Sequence, residues 1–226
     1  MKISHYLSFL ILLAGYSCSP DEPPAAPGST NYMSLTAGST RTYTFTNITP
    51  PTATSNYTLT ATNRDTAVAG RSYKVFTSSN GASEYYAVAG NDYYVYQAIA
   101  PTFGNTSVEI LYLKDNVAVN TTWAQTTTVN VPGVPFPVTL NLSNKIIEKG
   151  IGRTVNGISY SDVIHVKRDI TASISGLPVT GLTTDMHYYY APKVGLIENN
   201  VLLNLNFMGI TNNTNTQTKL QSANIL

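Results

Sequence analysis

The chain has 226 residues, a formal net charge of +1 and only 11% charged residues, about half the share of an ordinary soluble domain. That balance supplies neither a basic stripe to release counterions from nucleic acid nor a polybasic segment to hold anionic lipid, which argues against nucleic acid as a partner. The one cysteine leaves no intramolecular disulfide. A body of roughly 190 residues can bury a single core without one, so one domain is expected. Sixteen tyrosines, with many Thr, Asn and Ser, give a polar surface suited to neutral ligands, because no charge has to be desolvated.

The chain opens on Lys2 and an apolar run from Tyr6 to Ala14. Nine helical residues rise about 14 Å against a hydrocarbon core of about 30 Å, so the run reads as an export signal and not as a span. Small residues, Ala14, Gly15 and Ser17, lead to Cys18. The stretch Ala14-Gly15-Tyr16-Ser17-Cys18 resembles a bacterial lipobox in the loose form of Bacteroidetes-type lipoproteins, and Asp21 and Glu22 resemble that group's surface-export signal. The resemblance implies cleavage before Cys18, lipid on its sulfur, and an exported protein anchored at the outer membrane or cell surface. Two or three acyl chains, at about 0.8 kcal/mol per buried CH₂, hold far more firmly than one myristoyl chain.

The expected organisation is a signal peptide over residues 1–17, an acylated cysteine and flexible tether over 18–38, and an all-β domain over 39–226. Pro20, Pro23, Pro24 and Pro27 deny the tether helix and sheet donors. From residue 40 the pattern has period two. "RTYTFTNI" sets Tyr43 and Phe45 against Thr42, Thr44 and Thr46, and "NYTLTA", "RSYKVFTS", "SEYYAVA" and "DYYVYQA" continue the alternation. "SVEILYLK" is apolar on both faces and ends in a turn at "KDN". "TTWAQTTTVNV", "FPVTLNLSNKIIEK", "RTVNGISY", "DVIHVKRD", "MHYYYA", "GLIENN" and "VLLNLNFM" follow as further strands.

Asn156-Gly157 and Gly90-Asn91 are the hairpin turns. The polar end, "TNNTNTQTKLQSANIL", predicts an edge strand or a frayed tail. No apolar run has helical spacing, so the fold class is all-β: a single antiparallel domain built as a sandwich, a barrel or a strongly curved sheet.

"HYYYAPKVGLIE", with "LYLKDN", Trp123 and "VNGISYSDVIHVK" in the same order, resembles a group of Bacteroidetes-type exported lipoproteins. That resemblance implies an all-β fold, a late hairpin at Pro192 to Gly195 and an envelope location, not an activity. Pro192 sets φ for the turn and Gly195 permits close approach.

No catalytic or metal-binding motif is present: no nucleophile elbow, P-loop, dinucleotide fingerprint or His-Glu-x-x-His. No cofactor is expected. His165 reads as a half-exposed strand residue, and His187 shares a face with Asp185, which could orient its imidazole. Glu109 and Glu148 are the strand acids that a glycosidase would need to bring together.

The more pointed signal is aromatic. A turn at Gly90-Asn91 sets Tyr85, Tyr94 and Tyr96 on one face, opposite Tyr86, Val88, Tyr93 and Val95. Tyr85, Tyr94, Tyr96 and Trp123 are therefore the candidate ligand-binding residues, since exposed rings cover sugar faces or protein hot spots while keeping a polar tip. Cross-strand packing is the alternative. Asp65-Thr66-Ala67 resembles the O-glycosylation acceptor of the same group, at Thr66, and the same stretch also reads as a turn. The function expected is a non-enzymatic, membrane-anchored binding module for a glycan, an envelope protein partner or a hydrophobic guest. The alternatives are a scaffold lipoprotein and a hydrolase.

Overall fold

The computed structural model describes residues 31–98, 106–131, 133–207 and 209–226. Cys18, the leader and most of the tether lie outside them. The described residues form thirteen strands and no α-helix. The first half comprises β1 (Thr40–Asn47), β2 (Ala53–Val68), β3 (Arg71–Ser78), β4 (Ser83–Ala89), β5 (Asp92–Ala98) and β6 (Ser107–Lys114). The second comprises β7 (Thr122–Val129), β8 (Val138–Val155), β9 (Ile158–Ile174), the two-residue β10 (Leu177–Pro178), β11 (Leu182–Ala191), β12 (Gly195–Phe207) and β13 (Ile210–Asn224).

All pairing is antiparallel, in the order β6-β5-β4-β3-β2-β1-β13-β12-β11-β9-β8-β7, with β10 on β9. Apart from β10 and the step from β6 to β7, each strand pairs with the next in sequence, and β13 returns to β1. The meander therefore closes on itself into a barrel-like sheet with one joint, β6 against β7, that no backbone ladder spans. Side chains span it instead. Gln125 Oε1 accepts from the Leu111 N–H at 2.8 Å, Gln125 Nε2 donates to the Glu109 carbonyl, and Trp123 Nε1 donates to the Leu111 carbonyl at 2.9 Å.

Both predicted two-residue turns are present. Val155 pairs with Ile158 around Asn156 (φ 49°) and Gly157 (φ 81°), as a type I′ turn requires. Ala89 pairs with Asp92 around Gly90-Asn91. The C-terminal segment is neither an edge nor a tail. β13 lies between β1 and β12, because its Thr/Asn-rich side chains suit a half-buried wall and Leu220 (0% exposed) fixes its inner face. Within the stretch expected as tether, Tyr32 and Met33 are buried, and the Ser34 N–H donates to the Lys193 carbonyl at 2.9 Å. The arm thus pairs with the hairpin turn at Lys193 and Val194.

Two zones share the interior. One is aliphatic, with Leu140, Leu142, Ile146, Val166 and Leu205 from the tall strands β8, β9 and β12. The other is aromatic, and it is not filled.

Candidate functional site

Alternation along β4 and β5 turns Tyr86 and Val95 inward and Tyr85, Tyr94 and Tyr96 outward. The three outward rings do not form a free platform. Tyr85 and Tyr96 pack at 6.2 Å, Tyr96 packs on Tyr73 at 6.1 Å, and the Arg71 guanidinium lies 3.5 Å over Tyr94. Glu109 completes this group, accepting from Arg71 at 2.9 Å and from the Tyr73 hydroxyl. Neighbouring rings and one ion pair already occupy these faces. Trp123 is committed to the β6–β7 joint. Thr66 sits in β2 opposite Tyr73 and not in a turn.

The inward rings build a different feature. Tyr43 of β1, Tyr57 of β2, Tyr86 of β4, Tyr112 of β6, and Tyr188 and Tyr190 of β11 surround a cavity of about 230 Å³. Met33 of the N-terminal arm is a buried lining residue, and Gln97 is the exposed one. The rings hold one another: Tyr86 and Tyr112 meet edge to face at 6.2 Å, and Tyr112 and Tyr190 lie 5.3 Å apart. Tyr43 donates its hydroxyl to the Leu196 carbonyl at 3.0 Å, and Tyr86 donates to Glu84 at 2.5 Å. Among the described residues the hydroxyls of Tyr57, Tyr112 and Tyr190 have no hydrogen-bond partner.

Burial raises the pKa of Tyr43, Tyr86, Tyr112 and Tyr190 well above the usual phenol value. They remain neutral donors at any physiological pH. Glu84 also lines the cavity, and desolvation raises its carboxyl pKa against the opposing hydrogen bond from Tyr86. Two guanidinium groups, Arg41 and Arg168, complete the lining.

On the outside of β8, β9 and β11 lies a second group. Glu148 Oε2 meets His165 Nδ1 at 2.9 Å, His165 Nε2 meets His187 Nδ1 at 2.8 Å, and His187 Nε2 meets Asp185 Oδ1 at 3.0 Å. Tyr189 stacks on His165 at 4.2 Å, and Arg153, paired with Glu198 at 2.7 Å, covers Tyr189 at 3.4 Å. His165 is therefore buried (6% exposed), not half-exposed as expected, because the Tyr189 ring stacks on it and Glu148 and His187 hold both its nitrogens. Burial lowers its pKa, with Glu148 pulling the other way and His187 adding to the fall.

Three links need three ring protons and two neutral imidazoles carry two, so in the neutral pair one of the three contacts lacks its proton. Glu109 and Glu148 belong to separate hydrogen-bonded groups, on β6 and β8. Among the described residues no cluster of three or more His, Cys, Asp or Glu is arranged to hold a metal ion.

The cavity was not legible in the sequence. Its tyrosines come from five strands spread over some 150 positions, and alternation marks each as inward without showing that the inward rings leave a space.

No family model matches the chain, and no curated protein matches it. Among solved structures, the crystal structure of "a putative lipoprotein" from Parabacteroides distasonis ATCC 8503 is similar over 86% of this chain and 99% of that one, with a TM-score of 0.52 and 11% identity. A "putative exported protein with YmcC-like fold" from Bacteroides fragilis NCTC 9343 is similar over the same shares, with a TM-score of 0.44 and 8% identity. At such identity the first likeness establishes the fold: this chain is a single all-β domain of the same architecture as the Parabacteroides protein.

Proposed function

We propose that this chain is an exported envelope lipoprotein, anchored through Cys18, whose barrel interior holds a small guest without chemically changing it. The cavity carries the reading. Folded interiors close-pack, leaving few voids larger than a water molecule, yet here six tyrosines surround about 230 Å³. Hydroxyls without partners beside aromatic faces suit a guest with an apolar body and a few oxygen acceptors.

The lipobox-like stretch ending at Cys18 supports export and anchoring, and the name of the similar Parabacteroides structure, a putative lipoprotein, agrees with it. The outer tyrosines Tyr85, Tyr94 and Tyr96 are assigned to packing instead of glycan binding, since rings and Arg71 cover their faces.

The test is extraction. Protein purified from the cells that make it is denatured, and the released small molecules are identified by mass spectrometry. The Leu59→Trp variant, whose larger side chain fills the cavity, serves as the control. A compound present at near one equivalent in wild type and absent from the variant supports the reading. Identical extracts from both overturn it in favour of a scaffold.

A further inference from the structure

The cavity carries a charge imbalance, and the inference drawn from it rests on the binding reading above. Arg41 and Arg168 are 1% and 5% exposed, and both line the cavity. Neither has a carboxylate within ion-pair distance among the described residues. Arg41 is committed to backbone: Nε donates to the Val194 carbonyl, and Nη2 donates to the carbonyls of Ser34 at 3.0 Å and Lys193 at 3.3 Å. Only its Nη1 lacks a partner.

Arg168 is freer. Its Nε donates to Asn144 Oδ1 at 2.8 Å and its guanidinium lies 4.9 Å over the Tyr188 ring, while Nη2 is buried with no partner. Both charges are felt at the cavity phenols, where Arg41 opposes the rise at Tyr43 and Tyr112, and Arg168 opposes it at Tyr190. Glu84 is the one acid in the lining, and burial disfavours its charged form. Two buried cations thus face at most one anion. A buried charge is costly unless it is paired and hydrogen-bonded.

We propose that the guest is a small monocarboxylic acid, its carboxylate on Arg168 and its body among the rings of Tyr112, Tyr188 and Tyr190. The planar guanidinium fork matches a carboxylate in shape and charge. The unpartnered hydroxyls of Tyr112 and Tyr190 can donate to further oxygens of the guest. A dry cavity of about 150 Å³ holds one benzene, so one of about 230 Å³ takes about nine non-hydrogen atoms, near the size of an aryl or short-chain acid. The inference departs from the neutral ligand expected from composition, because the net charge of the whole chain does not reveal two cations gathered inside it.

The test titrates the purified full-length protein in detergent with an isosteric pair, 4-hydroxybenzoate and 4-hydroxybenzamide, by calorimetry. The acid is expected to bind at least tenfold more tightly than the amide. Arg168→Met should abolish that preference. Because this variant could lose its fold, the acid-over-amide ratio of the wild type stands as an independent arm that needs no variant. Equal binding of acid and amide by the wild type, or an unchanged preference in a folded Arg168→Met variant, overturns the anion inference while leaving the binding reading intact. Binding of neither at millimolar concentration overturns both.

Discussion

Gln125 presents its carboxamide to Leu111 as though it were a neighbouring strand, accepting from the Leu111 N–H at 2.8 Å while its own Nε2 donates to the carbonyl of Glu109, two residues before. One side chain thereby replaces the rungs missing between β6 and β7. An unpaired edge at this joint would expose backbone groups to water and to other chains. Replacing Gln125 with Ala is expected to lower stability by about 1–3 kcal/mol, through the backbone groups left unsatisfied. Hydrogen exchange should accelerate first at Leu111. Unchanged urea unfolding and unchanged exchange at Leu111 would contradict this role.

Gly195 opens β12 with φ 88°, and a Cβ placed there would lie 2.7 Å from Met33 Sδ. The Gly195→Ala substitution is expected to cost about 1–3 kcal/mol from the left-handed conformation alone. It should also move Met33, which lines the cavity. Thermal unfolding with ligand titration checks both effects, and a wild-type melting curve would contradict the close approach.

His165, held between Glu148 and His187, is expected to make stability depend on pH. Burial comes first among the causes that lower the His165 pKa from its ordinary 6.5. The unfolded chain then binds a proton more readily than the folded one. His165 accordingly contributes its full stability above pH 6.5, and loses it as the pH falls below 6.5 towards the lowered folded value. The His165→Gln variant should show a flatter fall in urea midpoint between pH 7.5 and 5 than wild type. Parallel slopes would place the acid sensitivity elsewhere.

Cys18→Ala should abolish labelling by a palmitate analogue and release the protein from the membrane fraction. Each acyl chain contributes about 0.8 kcal/mol per buried CH₂, and the variant would have none. Retained label or retained membrane association would end the anchor reading.

Much of the fold was legible because strands announce themselves locally. Alternation at Tyr43 and Phe45, the Asn156-Gly157 turn and the Pro192–Gly195 hairpin each depend on a few adjacent residues, and each appears as expected. What alternation cannot supply is strand order. β13 looked like an edge because its sequence is polar, yet it joins the two ends of the meander, a consequence of closure and not of composition. The outward row of Tyr85, Tyr94 and Tyr96 was read on the correct face, but Tyr73 and Arg71, brought in by β3, cover it. Asp185 and His187 share a face by simple spacing. Their continuation to His165 and Glu148 depends on the registers of three strands.

A high-resolution crystal structure of the protein purified from the cells that make it would test the binding chamber most directly. The expected result is electron density for a small guest enclosed by Tyr112 and Tyr190, with its polar end at Arg168. Tyrosines turned inward to fill the space, leaving no room for a guest, would contradict the account.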